Sequence, residues 1–318
     1  MRILVAGAAG FIGSHLVDRL LADGHSVVGV DNFITGRQVN LDHIGSDNDF
    51  TMVEHDICKA WEPEGSFDQI YHLASPASPV GYMRNPILTH LTNSVGTYNL
   101  LQIASANGAQ FLYASTSEAY GDPEIHPQPE TYFGNVNPVG PRSCYDESKR
   151  FGESITMEYV RNFSLDGRII RIFNTYGPRS DPNDGRVIPA FIMGALRNEP
   201  LTIFGDGQQT RSLCYVDDLV QGIIAAMNSA NTSGEVINLG NPDERTVLTI
   251  AEAIIKTCES TSRIDFLEAR PDDPYLRCPD ISKARRLLGW EPVTGIEDGL
   301  RATIEDLSSY VTSQSPSS

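Results

Sequence analysis

Short apolar runs alternate with longer amphipathic stretches along most of the chain. Residues 3–6 (Ile-Leu-Val-Ala) are apolar, of strand length, and followed at once by glycines. Residues 11–23 carry apolar side chains at helical spacing, and Gly24 ends them. Residues 26–30 form a second apolar run that closes at Asp31. Residues 69–73, 110–115 and 168–173 repeat the pattern, with helix-like segments at 86–107 and 145–163. Unbroken apolar strands alternating with helices predict a parallel sheet covered on both faces. The expected class is α/β, a Rossmann-like doubly wound parallel sheet.

Beyond about residue 174 the texture changes. Pro, Gly and Asn crowd residues 174–186, and shorter pieces follow, with a helix at 247–258. Residues 217–227 and 236–239 look like a return to the main sheet. The expected organisation is a dinucleotide-binding domain at 1–174, rejoined at about 211–240. A smaller C-terminal substrate-binding lobe takes 175–210 and 241–307, and the Ser/Thr-rich residues 308–318 read as a flexible tail.

The first turn carries chemistry. In Gly7-Ala-Ala-Gly-Phe-Ile-Gly13 the first glycine permits a tight turn, Gly10 lets backbone approach a pyrophosphate, and Gly13 allows close helix–sheet packing. Phe11 and Ile12 open the helix whose free N–H groups would face the phosphates. Asp31 ends the next strand, 18 residues past Gly13, where a carboxylate binds both adenosine ribose hydroxyls and repels a 2′-phosphate. That predicts NAD rather than NADP, with Asn32 beside it and Arg37 read as a solvent-exposed loop residue. Asp56 and Ile57 follow another strand-like stretch and are candidates for the adenine. Leu73 and Ala74 offer small backbone near the dinucleotide, and Ser115 closes a further strand. His72 reads as a packed strand residue.

A second constellation turns a binding fold into a redox site. Tyr145 and Lys149 lie four apart, so a helix puts them on one face. A lysine there can hold the tyrosine as tyrosinate, and a phenolate beside a nicotinamide can take an alcohol's proton. Thr116-Ser117-Glu118 stands upstream.

Composition narrows the classes. A net charge of −17 argues against a nucleic-acid surface. The five cysteines are scattered without C-x-x-C, which fits reduced thiols and a cytoplasmic protein. The seven histidines show no metal-ligand spacing, so no metal site is expected. The N-terminus does not read as a signal peptide, and no run is long enough to span a membrane.

Together the glycine turn, Asp31, His72-Leu-Ala, Ser115-Thr-Ser-Glu-Ala-Tyr-Gly121, Tyr145-x-x-x-Lys149 and Arg171-Ile-Phe-Asn-Thr-Tyr-Gly-Pro-Arg179 resemble the extended short-chain dehydrogenase/reductase family, the nucleotide-sugar epimerases and dehydratases. The resemblance runs from Met1 to about Leu307. Further runs are similar to the branch of that family that decarboxylates UDP-glucuronate. They are His72-Leu-Ala-Ser-Pro-Ala-Ser-Pro79, His126-Pro-Gln-Pro-Glu-Thr-Tyr132, Gly134-Asn-Val-Asn-Pro-Val-Gly-Pro-Arg142, Asn183-Asp-Gly-Arg-Val187 and Arg270-Pro-Asp-Asp-Pro274 with Arg277. Ser148 stands where the branch usually has glycine. Sugar-nucleotide 4,6-dehydratases carry Asp-Glu where this chain has Ser117-Glu118, and serine is a poor acid for expelling a hydroxyl.

The resemblance implies UDP-glucuronate as substrate, recycled NAD as oxidant, and UDP-xylose as product. Tyr145 would take the C4 proton, Lys149 would hold the tyrosine's pKa down and bind the nicotinamide ribose, Ser117 would bond the C4 oxygen, and Glu118 would handle a proton near C5. Arg277 would grip a carboxylate or phosphate, with Arg186, Val187, Arg211 and Asn174 around the UDP. A UDP-sugar 4-epimerase shares the oxidation step, and a non-catalytic NAD-binding protein remains a further alternative. The family also implies a homodimer built through residues 86–107 and 145–163.

Overall fold

The computed structural model describes residues 1–268 and 276–314. Strands β1 (Arg2–Ala6), β2 (Ser26–Asp31), β3 (Phe50–Glu54), β4 (Gln69–His72), β5 (Gln110–Thr116) and β6 (Gly167–Ile172) form one sheet with the strand Val236–Leu239. Its order is β3-β2-β1-β4-β5-β6 and then Val236–Leu239, and every pairing is parallel. The order reverses between β1 and β4. Connections on either side of that point diverge, which opens a crevice at the strands' C-terminal ends.

The unbroken apolar runs are explained by the two faces. Ile3 and Val5 point into one core, and Leu4 and Ala6 into the other, as a period of two requires. The first face is covered by α1 (Phe11–Ala22) and α7 (Val216–Asn228), which bury Leu16, Leu20, Leu219 and Ile223. The second is covered by α4 (Thr97–Asn107) and α5 (Ser143–Phe163), which bury Leu100, Leu101, Ala104 and Tyr159.

The helix expected over 86–107 is interrupted. Chain 79–107 runs as α2 (Pro79–Arg84), α3 (Pro86–Leu91), a π-helical turn at Thr92–Gly96, and α4. Ser78 caps α2 by accepting from the Gly81 N–H at 3.1 Å. Asn93 lies within the π turn, fully buried, and its Nδ2 donates to Ser148 Oγ at 3.0 Å.

A third core defines the smaller lobe. Here α6 (Val187–Leu196), α8 (Val247–Thr257) and α10 (Ile296–Gln314) bury Phe191, Ile192, Ile250, Ile254, Leu300 and Leu307. Two expectations need correction. Residues 281–290, assigned to the lobe, contain α9 (Ser282–Leu288) and place Ile281, Ala284 and Trp290 in the first sheet core. Trp290 Nε1 donates to the Asp218 carbonyl of α7 at 2.9 Å. The tail expected from residue 308 continues α10 to Gln314, because Leu307, Tyr310 and Val311 keep helical spacing and pack on the lobe core. There the apolar spacing outweighs the Ser/Thr composition.

Candidate active site

A cleft of about 1190 Å³ runs from the glycine turn to the lobe. At its dinucleotide end, Gly7 has φ +85°, and a Cβ there would lie 2.7 Å from the Ala74 backbone nitrogen. A Cβ on Gly13 would meet the Gly7 carbonyl. The two glycines therefore let the turn press onto residues 73–74 and the helix onto the turn. Gly10, Phe11, Ile12 and Leu73 line the cleft. Helix α1 begins after Gly10 with no side-chain cap, so its first N–H groups stay available to phosphate oxygens.

Asp31 is nearly buried, and its carboxylate accepts from the Ala9 N–H at 3.0 Å and the Phe33 N–H at 2.9 Å. Burial raises its pKa, and those backbone bonds oppose the rise. Asp31, Asn32, Ile57 and Ala74 line an adjoining pocket. Asp56 precedes Ile57, and its Oδ1 accepts from the Cys58 N–H at 3.0 Å. Arg37 is not a free loop residue. It donates to the Arg179 carbonyl at 2.8 Å and to Asn40 Oδ1 at 3.1 Å, tying the β2 loop to the far wall.

The reactive end forms where β5 meets α5. Tyr145 is 6% exposed, and burial pushes its pKa up while a hydrogen bond with Thr116 opposes that. Lys149 lies beneath it, 5.9 Å from the ring centroid, and donates to the Ala114 carbonyl at 2.7 Å. Burial brings Lys149 down to about 7, with Glu153 resisting. Ser117 is buried and lines the cleft beside Thr116 and Glu118. Ser115 lines the cleft as well, and its hydroxyl donates to Glu153 Oε1 at 2.5 Å. Glu153 in turn takes a bidentate pair from Arg171 at 2.8 and 2.7 Å. His72 is fully buried beside Thr97 at 3.0 Å, and burial holds it neutral.

Glu118 is the hub of the sugar end. Oε2 accepts from Arg142 Nη2 at 2.5 Å, and Oε1 accepts from Arg277 Nη1. Burial alone would raise Glu118, but the two guanidinium charges bring it below its ordinary value. That direction favours the carboxylate form. Arg277 is 6% exposed, and its Nη2 is buried with no partner among the described residues. Such a donor is costly unless a ligand completes it. The neighbouring run 270–274 lies outside the described residues.

Asn174, Arg186, Val187 and Arg211 all line the cleft. Arg186 is held by Asp184 at 3.1 Å, and Arg211 donates to the Thr210 carbonyl at 2.7 Å. Tyr82, Arg142 and Gly36 were missed. Tyr82 stacks on Tyr145, and a Cβ on Gly36 would lie 2.7 Å from both Asp31 oxygens. Their sequence signal is slight, an aromatic in a short helix and single residues in loops. The fold also gathers His126, Glu244 and Cys278, whose ligand atoms lie within 4.8 Å. The Gln128 amide nitrogen faces His126 Nδ1 at 3.4 Å, leaving Nε2 as donor to Glu244 at 3.0 Å. That geometry makes a side-chain hydrogen bond, with no imidazole lone pair turned toward a cation.

A glycine turn at the switch point, with Tyr145 and Lys149 across the cleft, defines a dinucleotide-dependent enzyme of the short-chain dehydrogenase/reductase type. The chain belongs to the NAD dependent epimerase/dehydratase family, whose profile matches residues 3–240. It is 54% identical over 305 residues to UDP-glucuronic acid decarboxylase 1 of Danio rerio, covering 96% of this chain and 72% of that protein. It is 50% identical over 307 residues to UDP-glucuronic acid decarboxylase 3 of Arabidopsis thaliana, covering 96% and 89%. Among solved structures, the UDP-glucuronic acid 4-epimerase of Bacillus cereus, in complex with UDP-glucuronic acid and NAD, superposes with a TM-score of 0.86. Identity is 32%, covering 98% of this chain and 100% of that one. The UDP-glucose 4-epimerase of Thermotoga maritima, with UDP-glucose, gives 0.87 at 31% identity, covering 98% and 100%.

Proposed function

We propose that the chain converts UDP-glucuronate to UDP-xylose, using NAD as a recycled oxidant. The observation that carries this reading is Arg277. A buried guanidinium with an unpartnered nitrogen at the sugar end suits a substrate that brings a carboxylate. The decarboxylase relatives at about half identity support the same reading.

NAD, when bound, accepts the hydride from sugar C4 and later returns it. Gly7, Gly10, Phe11, Ile12 and Gly13 would receive its pyrophosphate, Asp31 and Asn32 its adenosine ribose, and Ile57 and Ala74 its adenine side. Tyr145 takes the C4 hydroxyl proton, and the Thr116 hydroxyl favours the phenolate. Lys149 holds the nicotinamide ribose, and Ser117 bonds the C4 oxygen. The C4 ketone makes the C6 carboxylate a β-keto acid. The C5–C6 bond breaks, its electrons pass into an enolate on the C4 oxygen, and carbon dioxide leaves. A proton from solvent water in the cleft then adds to C5. Ser117 and Tyr145 stabilise the enolate oxygen by hydrogen bonding. Tyr145 finally returns its proton to the C4 oxygen as C4 is reduced. Glu118 keeps Arg142 and Arg277 in place by charge, and Arg186, Val187, Arg211 and Asn174 surround the UDP.

A UDP-sugar 4-epimerase is the second reading, favoured by the epimerase folds that superpose on this one. Purified protein incubated with UDP-glucuronate, with and without NAD, separates the two by mass spectrometry and proton NMR. Loss of carbon dioxide with a xylose spectrum supports decarboxylation. Unchanged mass with inverted C4 overturns it.

We further propose a homodimer. Exposed Ile87, Leu91, Tyr98 and Phe151 form an apolar strip on the α3–α4 run and α5, which supports that reading. The five cysteines are unpaired, which supports a reducing, cytoplasmic setting. Among the described residues no helix is long and apolar enough to cross a membrane.

A further inference from the structure

Asp146 follows the reactive tyrosine and has no role in the chemistry above. It is 7% exposed, and Oδ1 is fully buried with no hydrogen-bond partner among the described residues. Oδ2 lies 3.8 Å from Arg142 Nε, beyond hydrogen-bond reach. Arg142 instead places Nη2 on Glu118 at 2.5 Å. An ionised carboxylate in that setting would leave Oδ1 a buried charged oxygen without a donor, whereas a carboxylic acid leaves only a neutral oxygen there.

The surroundings bear this out from every side. Glu118 from the turn after β5 and Glu147 on α5 repel a charge on Asp146, and Arg142 and Arg277 attract it. Tyr82 of α2, Cys144 and Tyr145 are the other titratable neighbours. Burial is the largest influence, and with Glu118 it pushes Asp146 up to about 7.

We propose that Asp146 is a positioning residue that works in its protonated form: neutral, it leaves Arg142 to Glu118, and ionised, it draws Arg142 from Glu118 and shifts the carboxylate against which Arg277 is set. The inference rests on the proposed function, because it is Arg277 that meets the substrate carboxylate. It predicts a component of the pH dependence, favouring the acid side of neutrality, that belongs to one side chain outside the reacting atoms. Lys149 titrates in the same range, so the difference between variants, rather than the wild-type curve, is the readout.

The test compares wild type with Asp146→Asn, with Asp146→Ser in reserve should the asparagine variant fail to fold. Two measurements are made across pH. The first is melting temperature without ligands. An unfolded aspartate titrates near 3.8 and Asp146 in the fold near 7, so between them the folded wild type holds an extra proton. Its stability therefore falls as pH rises through that window, and the variant's does not. The variant's advantage widens from about pH 4 to about pH 7 and then stays constant. The second is kcat/KM for UDP-glucuronate. Loss of the protonated form costs about eightfold between about pH 6.5 and about pH 8. That component is present in wild type and absent from the variant.

A melting gap that does not widen overturns the inference whatever the activity. A gap that widens while the two pH–rate profiles stay parallel overturns it too, since Asp146 then holds a proton without consequence for the site. If wild type produces no UDP-xylose at any pH, the proposed function fails, and Asp146 loses its part in catalysis with it.

Discussion

Tyr82 stacks face to face on Tyr145, with ring centroids 5.1 Å apart and planes 9° from parallel. Tyr82 sits on α2, a six-residue helix started by Ser78 and two proline-opened turns from α4. The short helix therefore fixes the Tyr145 ring, to which the proposed function gives the reacting proton. Replacing Tyr82 with Leu removes about 0.5–1.5 kcal/mol of ring–ring interaction. We expect kcat to fall roughly two- to tenfold, with Tyr82→Phe retaining most of it. Steady-state kinetics of both variants decides this, and equal losses in the two would point to the Tyr82 hydroxyl instead of the stack.

Tyr145→Phe keeps the ring and the Tyr82 stack but has no proton to exchange. The rate of C4 oxidation should drop by about 10²–10⁴ while NAD binding is unchanged. Single-turnover absorbance of reduced nicotinamide, with a parallel NAD titration, reads both. Near-normal turnover would move the base elsewhere.

Gly36 lets the β2 loop close over Asp31. A methyl group there would lie 2.7 Å from both carboxylate oxygens, which already hold the Ala9 and Phe33 N–H groups. Gly36→Ala must displace Asp31 from the ribose, and NAD affinity should weaken about tenfold, the equivalent of one charge-assisted hydrogen bond. Calorimetry on the variant measures it. Unchanged affinity would mean that Asp31 does not contact the cofactor.

Arg277→Met leaves Glu118 with Arg142 as its remaining partner. Breaking a largely buried pair typically costs ~3–5 kcal/mol, so the melting temperature should fall clearly. Affinity for UDP-glucuronate should weaken far more than affinity for UDP-xylose, which lacks the carboxylate. Competition binding with the two nucleotides tests this, and parallel losses would place Arg277 on the diphosphate.

Ile87 is 70% exposed on α3, close to Leu91 in sequence and on the same helical face. Ile87→Glu should turn a dimer into monomers in sedimentation velocity without lowering the melting temperature of the monomer. A wild type that already sediments as a monomer would remove the dimer reading.

The residues themselves determined much of this. Unbroken apolar strands can be buried only by helices on both faces, so β1, β2, β4, β5 and β6 were legible with nearly their observed ends. The glycine turn and the Tyr145–Lys149 spacing were legible because each is local, a φ above zero or one helical face. Local pattern misled where composition and packing disagree, as in the Ser-rich end of α10, held by Leu307 and Tyr310, and in α9, which returns to the sheet through Trp290. The tertiary structure alone decided the charge network. Glu118, Arg142 and Arg277 come from three separate segments, and no spacing in the chain says that two arginines will share one carboxylate. It also set the two carboxyl groups apart, Glu118 brought down by two guanidinium charges and Asp146 pushed up by burial. Side-chain type gives both the same chemistry, and only burial and the distance to a guanidinium separate them.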